Sequence, residues 1–161
     1  MNSHKTAISR KALPAPVKWL LQNRWIYGDV LDFGCGKCAD INAREFPKYP
    51  DVQSIVSYDP YFNPHAHSLN NHPVPGFDIV LCTYVLNTVP PEEERQIIKT
   101  LTSVLRPNGL AFATVRTDKP RGGYGLSTKG TYQREVNLPY VNLKEGPHYR
   151  IYLLTSRTIP V

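Results

Sequence analysis

The sequence predicts an α/β fold in three layers, with a mostly parallel sheet covered by helices on both faces. Three observations carry that prediction. "FDIVLCTYVL", from Phe77, is a nearly continuous apolar run, as expected of a strand buried on both faces. "VLDFGCG", from Val30, is a short apolar strand that ends on two glycines. "PPEEERQIIKTLTSVL", from Pro90, has the period of an amphipathic helix and lies between the apolar run and a further strand, "LAFATVR".

Each element has its own signal. Residues 1–13 form a basic arm. "PAPVKWLLQNRW" opens with prolines suited to a first helical turn and then places Val17, Leu20, Leu21 and Trp25 at helical spacing. After Gly28, "DVLDF" is the first strand, and "KCADINAREF" is a short helix that Pro47 ends. "QSIVSYDP" is the second strand, stopped at Pro60. "YFNPHAHSLNNHPVPG" has neither helical nor strand period and reads as loop. In the helix from Pro90, Glu92, Glu93 and Glu94 fall in the first turn, where the helix dipole favours negative charge. Ile97, Ile98, Leu101, Val104 and Leu105 share its apolar face. "RPNG" predicts a turn before "LAFATVR", and "KPRGGYGLSTKG" a Gly-rich loop. "TYQREVNLPYVNL" and "HYRIYLLTSR" are then expected to pair antiparallel as a C-terminal hairpin.

With 161 residues the chain has the size of a single domain, 1–161, that needs no disulfide or structural metal to bury a core. A hydrophobic content of 41% with 20% charged residues fits a soluble protein, and no run reaches the roughly 18 apolar residues that span a bilayer. The opening residues lack the apolar core of a secretory signal, and three cysteines suit a reducing compartment, so a cytoplasmic location and no membrane association are expected. A net charge of +6 and a pI near 9.3 raise the prospect of a nucleic acid or nucleotide partner. Against it, Lys and Arg are spread along the chain with no basic block. Oligomeric state leaves no trace in the sequence.

The glycine pair marks the binding site. In open α/β sheets ligands sit beyond the carboxyl ends of the strands, where Gly34 and Gly36 let a ligand approach the backbone. Gly34 to Ala39 even matches G-x-G-x-x-A, the dinucleotide fingerprint. Asp32 before the loop and Asp40 after it, however, flank the place a pyrophosphate would take and would repel it. A ligand with an ammonium and a sulfonium, such as S-adenosylmethionine, would be attracted. Asp59, 23 residues beyond Gly36, is placed to accept hydrogen bonds from ribose hydroxyls.

"VLDFGCG", "SYDP", "FDIVLCTYVLNTV" and "LRPNGLAFATV", in this order and spacing, resemble the class I S-adenosylmethionine-dependent methyltransferases. "ISRKALPAPVKWL", "YVLNTVP" and "TKGTYQR" are similar to short bacterial and phage methyltransferase-domain proteins, including those associated with DNA phosphorothioation loci. The resemblance implies a Rossmann-like methyltransferase fold. It also implies that Asp32, Phe33, Gly34, Cys35 and Gly36 hold the methionyl part, helped by Asp40, and that Asp59 holds the ribose, with Pro60 and Tyr61 beside the adenosine. Cys82, Thr83 and Tyr84 would line the methyl-donor side. One departure stands out: only 18 residues separate Asp59 from Asp78, so the third strand of that fold is short or missing and the adenine contact falls weakly to Asn70 or Asn71.

On the substrate side, Arg116, Arg121, Lys129 and Arg134 are expected to recognise an anionic or nucleotide acceptor, with Asp118 or Tyr132 taking a proton. Ser9, Arg10 and Lys11 could close over the cofactor carboxylate. No metal site is expected: His65, His67 and His72 read as solvated loop residues, and Cys35-x-x-Cys38 has no second pair. The D/N-P-P-Y/F signature of amino-methyltransferases is absent. The expected function is methyl transfer from S-adenosylmethionine. The alternatives are a non-catalytic module that binds this cofactor for a partner, and a small NAD-binding protein.

Overall fold

A computed structural model describes residues 10–64, 76–120, 122–126 and 131–155. Its core is a six-stranded sheet in the order β2-β1-β3-β4-β8-β7. Strands β1 (Gly28–Phe33), β2 (Val52–Tyr58), β3 (Phe77–Thr83) and β4 (Leu105–Arg116) are mutually parallel. Strands β7 (Val141–Glu145) and β8 (Tyr149–Thr155) add antiparallel on the β4 side. The α/β class, the parallel centre and the antiparallel C-terminal hairpin thus match the sequence reading.

Alternation along β1 builds two cores. Val30 points to one face, where it packs with Ile79, Leu81 and Phe112 under Val17, Leu20 and Leu21 of α1 (Ala15–Gln22) and Ile41 of α2 (Ala39–Glu45). Leu31 points to the other, joining Val80, Ala111 and Ala113 under Ile98 and Leu101 of α3 (Pro91–Ser103). All of these side chains are buried on both faces of the sheet, which is why the central strands read as unbroken apolar runs. At the amino ends of the strands, Arg106 ties β1 to β3 through Asp29 (2.7 Å) and Asp78 (2.8 Å).

Four local expectations change. Trp25 lies beyond the end of α1 and meets Phe112 edge-on at 6.1 Å. Pro47 does not end α2 outright; it sits inside a 3-10 turn, Phe46–Lys48, where a missing N–H costs nothing. "RPNG" is absorbed into β4 as an irregularity: the register jumps from Phe77↔Leu105 to Ile79↔Leu110, with Asn108 at φ +67°. The C-terminal hairpin is shorter than expected, because Tyr132–Gln133 (β6) pairs instead with Gly125–Leu126 (β5).

No strand lies between β2 and β3 among the described residues. The chain reverses just after β2 at an Asp59↔Asn63 bridge, with the Asn63 side-chain amide donating to the Ser57 carbonyl. Among the described residues no helix is long and apolar enough to cross a membrane.

Candidate active site at the carboxyl ends of the strands

The loop after β1 is shaped by hydrogen bonds to β2. Gly34 N–H and Cys35 N–H both donate to the Tyr58 carbonyl at 2.8 Å, which forces the chain to fold across the end of the sheet. Gly34 takes φ +83°, and a Cβ there would lie 2.5 Å from Val85 Cγ2. Glycine is therefore required twice, by the backbone angle and by the space.

Two carboxylates bracket this loop. Asp32 is buried, and its Oδ2 accepts from Asn42 Nδ2 at 2.7 Å; the same amide nitrogen reaches Ser57 Oγ at 2.9 Å. Burial raises the Asp32 pKa to about 6, against the lowering effect of the Asn42 hydrogen bond, and the nearby charge of Asp59 adds to the rise. Asp59 Oδ2 accepts the Gly36 N–H at 3.0 Å, while Oδ1 accepts those of Tyr61 (2.9 Å) and Phe62 (3.0 Å). Each acid thus holds part of the glycine loop or its neighbour in place.

Across the sheet, β3 is followed by Tyr84, a non-glycine residue at φ +63° whose N–H donates to the Thr114 carbonyl at 2.9 Å. Such backbone strain collects at binding sites. The Arg116 guanidinium lies 4.3 Å from the Tyr84 ring centroid and that of Arg10 lies 5.6 Å from it. Burial raises the pKa of the Tyr84 hydroxyl, although both arginines oppose the rise. Behind it, buried Asn87 joins three segments: its Oδ1 accepts the Arg116 N–H (2.8 Å), and its Nδ2 donates to the carbonyls of Arg134 (3.0 Å) and Arg116 (3.3 Å).

These groups surround one cleft of about 640 Å³, a volume suited to a small organic ligand. Asp32, Phe33, Gly34, Cys35 and Gly36 line it, as do Asp59 and Pro60 from β2. Thr83 and Tyr84 line it from β3, and Arg116 and Asp118 from the end of β4. Other residues with expected roles stand apart from it. Asp40 is exposed on α2, Tyr61 is 62% exposed against the Phe62 ring, and Cys82 is wholly buried beneath the cleft floor. Tyr132 is half-buried in β6 outside the lining. Arg134 is committed to the Val89 carbonyl and to Glu94 Oε1, both at 2.5 Å. Arg121, Lys129, Ser9, Asn70, Asn71 and the three loop histidines lie outside the described residues.

The three cysteines are free and buried, and burial raises each thiol's pKa, with Asp32 adding to the effect. They are neutral packing groups, Cys35 and Cys38 on the cleft wall. Among the described residues no group of three His, Cys, Asp or Glu could hold a metal ion.

Sequence reasoning missed Asn42, Asn87, Val85 and Lys119. Asn87 had a signal, a polar residue set in the apolar "YVLNTV"; Asn42 and Lys119 had none.

A family model described as a methyltransferase domain matches residues 9–150. The chain belongs to this methyltransferase-domain family. An O-methyltransferase family protein from Burkholderia thailandensis shares the fold at TM-score 0.58 and 11% identity, over 89% of this chain and 56% of its own. PKMT2 from Rickettsia typhi in complex with AdoHcy is 20% identical at TM-score 0.32, over 55% of this chain and 21% of its own. DhpI in a complex with SAM and HEP is 17% identical at TM-score 0.42, over 87% of this chain and 71% of its own. The methyltransferase domain thus spans little more than half the length of the Burkholderia protein and a fifth of the Rickettsia one. No curated protein matches the sequence.

Proposed function

We propose that this single domain is an S-adenosylmethionine-dependent methyltransferase, with the cofactor seated across the ends of β2, β1 and β3. The observation that carries this is the pair of carboxylates around a glycine cradle: Asp32 buried against the cleft and Asp59 bonded to Gly36. A carboxylate whose charge burial disfavours gains most from a cation placed beside it. Asp32 suits the ammonium of a methionyl group, and Asp59, its oxygens already facing the loop, suits ribose hydroxyls. Pyrophosphate would meet both charges at close range, which disfavours the NAD alternative.

When bound, the cofactor supplies a methyl group activated on a sulfonium. Gly34 and Gly36 leave room for close approach, and the Phe33 and Tyr58 rings, 5.3 Å apart, wall one side. Tyr84 and Thr83 border the space between cofactor and acceptor. Asp118, exposed at the mouth with His148 Nδ1 3.8 Å away, is the carboxylate placed to take a proton from the acceptor. The work of the site is chiefly orientation, holding the acceptor nucleophile in line with the methyl group. The likeness to short bacterial and phage proteins and the expectation of a cytoplasmic protein belong to the same reading.

Titration calorimetry with S-adenosylmethionine, S-adenosylhomocysteine and NAD tests it. Binding of the first two, lost in Asp32→Ala and Asp59→Ala, with no heat from NAD, is the expected result. Silence from both sulfur ligands overturns the reading. Tight binding with no labelled-methyl product from any acceptor pool would favour the non-catalytic module instead.

A further inference from the structure

The end of β4 carries two cations that the cofactor reading leaves unused. Arg116 and Lys119 line the cleft, and neither forms an ion pair among the described residues. Five other arginines are neutralised: Arg24, Arg44, Arg106, Arg134 and Arg150 each hold a carboxylate at 2.5–3.0 Å, whereas Arg10 lies in the same cleft farther from the Tyr84 ring, at 5.6 Å. Arg116 differs in kind. Its guanidinium lies against the face of Tyr84, and its side-chain donors have no acceptor among the described residues. Among the described residues no side-chain nitrogen is buried without a partner, so these donors are accessible, and Arg116 lines the cleft. A guanidinium packed by its face presents its N–H edge in a fixed fork, the geometry that pairs with an oxyanion through two hydrogen bonds.

Position decides what Arg116 faces. Asp59 follows β2 and Arg116 ends β4, and the sheet order β2-β1-β3-β4 sets the two strand ends three strand spacings apart, roughly 14 Å. The ribose acid and the glycine cradle occupy the β2 and β1 end, so Arg116 stands on the acceptor side of Tyr84. Asn87 fixes the Arg116 backbone through bonds to both its N–H and its carbonyl, and the Tyr84 ring lies against its guanidinium.

Charge balance decides the size of the ligand. The described lining holds Arg10, Lys37, Arg116 and Lys119 against Asp32, Asp59, Asp118 and Glu93. A groove for a polyanion would be basic throughout; here a strand of phosphates would meet Asp118 and Glu93 at the same mouth. One oxyanion held by Arg116 and Lys119 has two cations against the single carboxylate set between them in sequence, Asp118. Resting on the cofactor reading above, we propose that the methyl acceptor is a small molecule bearing a single oxyanionic group, a carboxylate or a phosphate, gripped by Arg116 with Lys119 as the second cation.

The test uses the full chain, labelled-methyl S-adenosylmethionine and matched probes. Hydroxy- and amino-carboxylates are set against their amides, phosphate monoesters against the free alcohols, and short DNA and RNA oligonucleotides are run beside them. The expected result is label in carboxylate or phosphate members at least about tenfold above their neutral partners. In Arg116→Gln, kcat/KM for that acceptor should fall about tenfold or more, with partial recovery in Arg116→Lys and S-adenosylhomocysteine affinity within about twofold of wild type. Which half of the panel is labelled separates carboxylate from phosphate. Equal labelling of neutral partners, labelling of oligonucleotides only, or no label in any anionic member overturns the proposal while cofactor binding stands. A matching loss of S-adenosylhomocysteine affinity in Arg116→Gln also overturns it, by moving Arg116 to the cofactor. If wild type binds no S-adenosylhomocysteine, the cofactor reading falls and takes this proposal with it.

Discussion

Gly36 donates its backbone N–H to Asp59 Oδ2 at 3.0 Å, so the loop that ends β1 and the acid that ends β2 form one hydrogen-bonded unit. The same carboxylate caps the turn through Tyr61 and Phe62. Asp59→Ala removes three acceptor contacts at once and should weaken S-adenosylhomocysteine binding by about tenfold to a hundredfold while costing about 1–3 kcal/mol of stability. Asp59→Asn, which keeps one carbonyl oxygen for the turn, should recover most of the stability and less of the affinity. Calorimetry beside urea denaturation separates the two.

Asp32 predicts a pH signature. Its folded pKa, about 6, stands above the ordinary 3.8 because of burial, so the folded protein binds more protons than the unfolded chain between those values. Stability of the ligand-free protein should therefore fall as pH rises across that window, by about 3 kcal/mol in all from this group. Asp32→Asn should melt higher than wild type at pH 7.5 and lose that slope. The same variant should bind S-adenosylhomocysteine poorly at every pH, whereas wild-type affinity should decline as pH drops below 6 and the carboxylate is protonated. A variant that melts lower at pH 7.5, with the slope intact, would contradict the buried-carboxylate account.

Gly34→Ala combines a contact with an angle. The added methyl would sit 2.5 Å from Val85 Cγ2 at φ +83°, which should cost about 2–4 kcal/mol in chemical denaturation. In a Val85→Ala background the steric part should disappear and the backbone part should persist, giving a coupling of about 1 kcal/mol or more in a double-mutant cycle.

Asn87→Ala strips the Arg116 N–H of its side-chain partner and the Arg134 carbonyl of its donor, while the Arg134 N–H keeps its bond to the backbone carbonyl of residue 87. A loss of about 3 kcal/mol is expected, together with faster amide exchange at Arg116. Exchange rates like those of wild type would mean that the backbone is held without Asn87.

The thiols should be sluggish. Burial raises all three pKa values, so alkylation by iodoacetamide at pH 7.5 should run at least about tenfold slower in the folded chain than after denaturation. S-adenosylhomocysteine should slow it further at Cys35 and Cys38, which line the cleft, as peptide mass mapping can show.

The sheet and the glycine loop at its cleft were legible because they rest on local rules. Apolar runs mark strands buried on two faces, and a glycine pair after a strand marks a close approach. The acceptor side was less so, because its contacts join distant segments. Arg134 and Arg116 look alike in sequence, yet Arg134 meets Glu94, 40 residues away, and Arg116 meets a tyrosine ring. Asn42 reaches Asp32 only because α2 folds back over β1. "RPNG" read as a turn because its residues favour one, and the pairing of β4 with β3 absorbed it into the strand. The hairpin was overextended since nothing in "TYQREVNLPYVNL" says that its first residues prefer a partner in Gly125–Leu126.

The order β2-β1-β3-β4 also bears on how such a domain diversifies. Asp59 and Arg116 belong to strands with two others between them, far enough apart that substitutions at one should add to, rather than compound, those at the other. On the proposed reading, the segment after β4 can therefore exchange one recognition group for another while the Asp59 half of the cleft stays as it is. On that reading, paralogues are expected to differ first beyond Arg116.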